Sequence, residues 1–408
     1  MSDNESNEDN SDKNKATYVA KGSYGCVVKP ALENEVEGVK KQYPGDVSKL
    51  FKDQDNYDDA IEASDKAYTI MERNEGHKLH IYSKKFRASN LRKNTRKACK
   101  FLGHQKLYPV RMKNLGKDIG GLESYYKEVR KIPFETVFEQ IVKVFHQVYL
   151  AHKADYIHGD IRQTNIMVDP KTGILTLIDF DWFKPKKDFF YGYKNALGFY
   201  SNPPESLVYW KLEESTISSH AFEEKQNSYR VANNKLRVHD ITQSQMADAT
   251  ASNVKYLMEV KEIGDVDPSE QYKALQEVLF DTFDSYGLGI TMQYFVNIMY
   301  PTGLKERISR HGVPYKEKEI KVIEDIVDNL KGLLERMSAL KLERRLVIKD
   351  TYAMIKELFE ECKKKLAATV TPVAPAAKSK TKTPSPPKAP PSSPVSAKKN
   401  RMTRRRRY

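Results

Sequence analysis

His158-Gly159-Asp160-Ile161-Arg162-Gln163-Thr164-Asn165, followed by Leu177-Ile178-Asp179-Phe180-Asp181-Trp182, decides how this chain of 408 residues is read. An Asp is followed five residues later by an Asn and fourteen residues after that by a second Asp. The spacing predicts a strand–loop–strand hairpin. Its loop carries Asp160 and Asn165, and the apolar run Ile174-Leu175-Thr176-Leu177-Ile178 delivers Asp179 beside them. Three oxygen-bearing side chains then share one small volume. Such donors suit Mg²⁺ held against a nucleoside triphosphate, with one carboxylate left to orient an attacking hydroxyl. One acid alone would read as a solvated loop residue. The three together, ahead of an apolar strand, predict phosphoryl transfer.

These segments resemble the catalytic loop H-R-D-x-x-x-x-N and the metal motif D-F-G of the eukaryotic-type protein kinases. The resemblance implies an α+β, bilobal protein-kinase-like fold, with a small β-rich N-lobe, a larger mainly helical C-lobe and disordered termini. It implies that Asp160 orients the substrate hydroxyl, that Arg162 neutralises the transferred phosphate, and that Asn165 and Asp179 hold Mg²⁺. His158 becomes a scaffolding residue. Two positions depart from the pattern: Gly159 stands where Arg is usual, and Asp181 replaces the last Gly of D-F-G. Neither departure removes a metal ligand or the candidate base.

Upstream, Ala20-Lys21-Gly22-Ser23-Tyr24-Gly25-Cys26-Val27-Val28-Lys29 resembles the phosphate-covering loop G-x-G-x-x-G-x-V. Gly22, Ser23, Tyr24, Gly25 and Val27 are its candidate ATP-binding residues, because glycines let backbone approach phosphate oxygens without an intervening Cβ. Val47-Ser48-Lys49-Leu50-Phe51 and Gly38-Val39-Lys40-Lys41 compete for the strand that bears the ATP-anchoring lysine. Lys49 is the expectation, with Glu62 on the following helix as its partner. This arrangement resembles serine/threonine kinases encoded by large DNA viruses. Asp58, Asp59 and Glu62 also fit an acidic first helical turn. Leu107 to Gly116 reads as a strand entering the linker that would hold adenine.

Pro133 opens a periodic run in which Phe134, Val137, Phe138, Ile141, Val144, Phe145 and Val148 mark one buried helical face. Downstream, Ser201-Asn202-Pro203-Pro204-Glu205 resembles A-P-E, with Arg344 or Arg345 as the partner of Glu205. Asp284-Ser285-Tyr286-Gly287-Leu288-Gly289 resembles D-x-W-S-x-G and is read as the start of a central helix. Glu205 and Asp284 lie 79 residues apart, an insertion whose polar centre is residues 213–267. Helices carrying Ile320, Ile323, Ile326, Val327, Leu330 and Leu334, then Ile348, Tyr352, Ile355, Leu358 and Phe359, complete the fold. The expected organisation is an acidic N-terminus (1–16), an N-lobe (17–113), a C-lobe (114–366) and a basic tail (367–408).

Charge supports that division. The net charge is +14, yet residues 367–408 hold six Lys, five Arg and no acid, which leaves +3 for the remainder. A Pro/Ala/Ser/Thr/Lys tail cannot bury enough apolar surface to fold alone. Nucleic acid, an acidic protein surface and an import receptor are its candidate partners beside the protein substrates of the enzyme, and a solubilising role is the plainer alternative. Three cysteines, Cys26, Cys99 and Cys362, spaced far apart, argue for a reducing compartment without disulfides. No run reaches the roughly 20 apolar residues of a membrane span. The start of the chain carries no apolar secretory core. The expectation is a protein of the host cytoplasm or viral factory, or one carried in the virion, and not secreted.

Arg162, where Ser/Thr kinases usually have Lys, leaves the Ser/Thr-versus-Tyr choice to the viral resemblance. H-G-D with an I-D-F-acid strand also resembles small-molecule phosphotransferases of the aminoglycoside and choline kinase type. A non-catalytic nucleotide-binding scaffold is the third reading. Between Asp179 and Tyr200 there is no Ser or Thr, and Gly159 removes the usual phosphate clamp. Activity is therefore expected to survive phosphatase treatment. Loss of activity on that treatment, reproduced by mutating Tyr191, Tyr193 and Tyr200, would contradict this.

Overall fold

A computed structural model describes residues 17–21, 25–36, 39–43, 45–71, 99, 107–189, 203, 224, 227–228, 230–231, 234, 241–260, 268–301 and 315–369. The chain divides into two units, Met1–Thr369 and Val370–Tyr408. The second unit, with the basic tail, lies outside the described residues, as do residues 1–16.

The first unit is mixed α+β with small antiparallel sheets. Its N-terminal strands are β1 (Thr17–Lys21), β2 (Gly25–Lys29), β3 (Ala31–Val36), β4 (Val39–Tyr43), β5 (Asp46–Phe51) and β6 (Tyr108–Lys113). Four of them form an antiparallel sheet in the order β1-β2-β5-β6, and β3 and β4 form a separate hairpin. The alternation of β2 and β5 buries Cys26, Val28 and Leu50 in one apolar cluster with Leu32, Cys99 and Leu107. Gly25 lies opposite Phe51 on β5, and a Cβ there would fall 2.2 Å from the Leu50 carbonyl oxygen. Close strand packing, beyond any phosphate contact, therefore demands glycine at this position.

The cysteine expectation is corrected here. Cys26 and Cys99 are disulfide-bonded, with Cα atoms 6.1 Å apart, and Cys362 is free and buried. Seventy-three residues separate the pair along the chain, yet both lie in the same apolar cluster. Cysteine number thus gives no argument for a reducing compartment.

Helix α1 (Gln54–Met71) follows β5 and buries Tyr57, Ala60, Ser64, Ala67 and Met71. After β6, a short sheet in the order β10-β9-β7 is made by β7 (Lys117–Asp118), β9 (Ile166–Val168) and β10 (Leu175–Leu177). Strand β8 (Tyr156–Ile157) pairs with β11 (Lys184–Pro185). A hairpin of β9 and β10 is present, but the expectation is corrected: its loop is residues 169–174, and Asp160 and Asn165 lie in the segment 158–165 that precedes its first strand. Gly116, at the exit of β6, has φ +106°, and a Cβ there would lie 2.2 Å from the Val168 carbonyl oxygen.

The helices pack around α2 (Phe134–Lys153). Every residue of its expected apolar stripe is buried. Helix α3 (Gln243–Val260) falls within the expected insertion, followed by α4 (Pro268–Met299), α5 (Glu317–Met337) and α6 (Ile348–Thr369). Helix α4 begins at Pro268, 16 residues before Asp284, so the expected start is corrected: Asp284 lies well inside the helix. The stripes on α5 and α6 are buried as read, with Tyr352 partly covered and stacked on Tyr149 and His146 of α2. Helix α2 packs on α6, and α5 packs against α4 and α6. Arg130 ties the C-terminus of α4 down by donating to the carbonyls of Met299 and Ile298. That contact also complements the helix dipole. Among the described residues no helix is long and apolar enough to cross a membrane.

Phe138, fully buried on α2, meets Phe359 of α6 edge-on with centroids 5.4 Å apart. Phe138→Ala removes that ring from a closed core and is expected to cost about 3–5 kcal/mol. Urea unfolding of the full chain measures the loss.

Candidate functional site

The loop after α2 is set by one buried carboxylate. Asp284 of α4 is fully buried. It accepts from the His158 amide at 2.7 Å and the Gly159 amide at 3.0 Å, with His152 Nε2 at 3.1 Å. Gly159 has φ 77°, a left-handed conformation in which glycine carries no Cβ penalty. This is a physical reason for glycine at the position where the sequence pattern led one to expect Arg.

His158 passes the constraint onward. Its Nδ1 accepts from the Asp160 amide at 3.3 Å and its Nε2 lies 3.2 Å from the Ile178 carbonyl. A carbonyl only accepts, so Nε2 carries the proton and the ring is neutral. Burial lowers the His158 pKa, in keeping with that tautomer. The histidine thereby links the loop to the strand end that presents Asp179. The Ile178 amide donates to the Asn165 carbonyl at 2.9 Å, a second tie between the same two segments.

Asp160 and Asn165 form one unit. Asn165 Nδ2 donates to the Asp160 carbonyl at 2.9 Å and to its Oδ2 at 2.8 Å, while Arg162 Nη2 lies 3.2 Å from that Oδ2. The other carboxylate oxygen, Oδ1, is buried without a hydrogen-bond partner among the described residues. Burial pushes the Asp160 pKa up to about 7, against the opposing pull of the Arg162 guanidinium. A carboxyl group poised near neutrality with one free acceptor is suited to receive a hydrogen bond from a hydroxyl.

Asp179 stands beyond β10 with φ 66°, and a 3₁₀ turn, Phe180–Trp182, follows it. Lys49 reaches across from β5, an interior strand, where it lies opposite Val27 and Val110. Its Nζ is 2.8 Å from Asp179 Oδ1 and 2.8 Å from Asp181 Oδ2. Burial raises the Asp179 pKa, but the Lys49 charge and hydrogen bond, with the Arg162 charge, outweigh it and hold the group below the ordinary carboxylate range. The structure thus brings Lys49, Asp160, Arg162, Asn165 and Asp179 into one network, although they lie up to 130 residues apart.

Glu62 is not part of it. Lys49 pairs with Asp179 and Asp181, and Glu62 lies on the exposed side of α1. Helical geometry explains this. At about 100° per residue, position 62 stands far round the axis from Ala60, Ser64 and Ala67, which face the core. Lys40 and Lys41 lie on β4, outside the sheet that holds Lys49. Gly25 and Val27 lie on β2, beside β5. Gly22, Ser23, Tyr24, Tyr191, Tyr193, Tyr200 and Glu205 lie outside the described residues. Of the two arginines, Arg345 is buried, donates to the Ala339 carbonyl at 3.0 Å and covers the Tyr286 ring, whereas Arg344 is exposed.

Sequence reading missed the joint role of His152 and Asp284 and the engagement of Asp181. The acid after Asp179-Phe180 was visible; its distance to Lys49 was not. A separate cavity of about 430 Å³, lined by Ile241, Gln245, Asp248, Gln293, Glu335 and Arg344, includes none of the expected site residues. Comparison with protein-family models and with curated proteins found no match for this chain.

Burial, with the His152 and His158 interactions outweighing it, leaves the Asp284 pKa below its ordinary 3.8. The stability it contributes is therefore present above that value and is lost as pH falls through the lower folded value. Asp284→Ala, which strands two buried amides and His152, is expected to cost about 3–5 kcal/mol at neutral pH. Denaturant unfolding, repeated toward acid pH, measures both effects.

Proposed function

We propose that this protein is an ATP-dependent protein kinase, built on a bilobal protein-kinase-like fold, that transfers the γ-phosphoryl group to protein Ser or Thr hydroxyls. The observation that carries the reading is the Asp160–Asn165 unit, held beside the strand end that presents Asp179 to Lys49. Its sheet-borne lysine and loop-borne acids are the parts that phosphoryl transfer needs, since such catalysis rests on positioning and charge stabilisation.

The donor set fits Mg²⁺. Asn165 and Asp179 are hard oxygen donors, and Asp160 adds a buried oxygen without a partner. Among the described residues no group of three or more His, Cys, Asp or Glu forms a ready metal cage. Mg²⁺ is usually bound through one or two carboxylates together with phosphate oxygens. Asn165 and Asp179 would hold the ion, which when bound supplies charge neutralisation on the phosphates.

The residues of the chain divide the remaining work. Lys49 offers its ammonium to phosphate oxygens. Asp160 Oδ1 accepts the hydrogen bond of the acceptor hydroxyl, orients its oxygen toward phosphorus and takes the proton as the new P–O bond forms and the bond to the leaving diphosphate breaks. Arg162, which faces Asp160 Oδ2, balances charge on that side. The Ser/Thr preference and a place in the host cytoplasm, viral factory or virion follow from the resemblance to viral kinases.

Transfer from γ-labelled ATP tests the reading. Wild-type protein is expected to label protein Ser or Thr, and Asp160→Asn to slow transfer about 10²–10⁴-fold while Mg·ATP still binds. Asp179→Asn is expected to abolish metal-dependent turnover. Label confined to aminoglycosides or small alcohols would move the protein to the small-molecule phosphotransferases, a class that the acid at Asp181 also fits. Nucleotide binding without any transfer would leave the scaffold reading.

A further inference from the structure

We propose that Asp181 is the positioning residue for Lys49, in the place that Glu62 was expected to fill; the inference rests on the kinase reading above and deepens it. Lys49 is 7% exposed, and a buried ammonium is stable only with a compensating carboxylate. The buried face of α1 consists of Tyr57, Ala60, Ser64, Ala67 and Met71, so this helix turns no carboxylate inward. The required charge comes instead from the turn after Asp179. Asp181 is itself nearly buried, with its side chain 11% exposed, and its Oδ2 lies 2.8 Å from Lys49 Nζ.

The turn that carries Asp181 is fixed on both sides. Phe180 is buried, packs on His158 with centroids 5.1 Å apart and meets Phe183 edge-on at 5.9 Å. Helix α1 packs against the same turn. A left-handed Asp179 begins it, so two acids two residues apart both reach one ammonium. Two carboxylates on Lys49 allow a division of labour. Asp179 is the residue proposed to turn to Mg²⁺, and Asp181 then keeps Lys49 compensated and aimed.

A double-mutant cycle in the full, nucleotide-free chain reads the pair directly. Asp181→Asn is expected to lower the urea midpoint when Lys49 is present. In a Lys49→Met background the same change should shift the midpoint much less, because the ion pair with Lys49 is already gone. Glu62→Gln should shift neither background. Equal effects of Asp181→Asn in both backgrounds, or coupling of Lys49 to Glu62 instead, would overturn the proposal.

Kinetics supply the second measurement. Asp181→Asn should lower kcat about tenfold or more, with the Mg²⁺ concentration for half-maximal rate unchanged, and Asp181→Glu should recover part of the loss. A raised Mg²⁺ requirement, with rate restored by excess Mg²⁺, would make Asp181 a metal ligand and sink the positioning role. Wild-type protein that transfers no phosphate would refute the kinase reading, and the unfolding cycle would still decide whether Asp181 holds Lys49.

Discussion

The carboxylate of Asp284 is the constraint on which the site depends. Its two oxygens gather two consecutive loop amides and a histidine from α2, in a core from which water is excluded. Hydrogen bonds to a charged acceptor each stabilise by about 1.5–3 kcal/mol, and leaving their donors unpaired costs a similar amount. The loop therefore has one conformation compatible with the packed helices around it. From that anchor the order spreads outward. Gly159 takes its left-handed turn, His158 spans to Ile178, and the position of Asp179 relative to Asp160 follows.

Around that frame, like groups acquire unlike properties. Asp160 and Asp179 are both buried acids, yet burial dominates at the first and neighbouring cations dominate at the second. The first is poised near neutrality; the second stays charged. Separating two carboxylates in this way is how one site obtains both a proton acceptor and a permanent anion. The separation arises from which cation each acid meets. Arg162 comes from the same loop as Asp160, whereas Lys49 arrives from a different sheet.

How much of this was readable from the chain alone varied with the kind of signal. The apolar stripe of α2 and the acid–loop–strand spacing around Asp160 and Asp179 were legible because periodicity and short-range spacing are local. The start of α4 was not. Its described C-terminal part, from Phe280 onward, is buried on nearly every side, so the one-sided apolar pattern that marks an amphipathic helix is missing. Glu62 was misplaced for a related reason. Glu62 lies at the middle of Gln54–Met71, outside the acidic first turn that the sequence also suggested, and only the angular position of the buried residues shows that it faces away from the core. The pairing of Cys26 with Cys99 joins a strand residue to a turn residue 73 positions away, a contact that cysteine spacing does not encode.

That pairing has a topological result. The covalent ring closed by sulfur contains β3, β4, β5 and α1, hence Lys49 itself. A protease cut anywhere within the ring would leave every fragment tethered, and the nicked molecule would migrate as a single species until a thiol reagent was added. Backbone integrity and covalent integrity are thus separate properties in the part of the chain that carries the lysine.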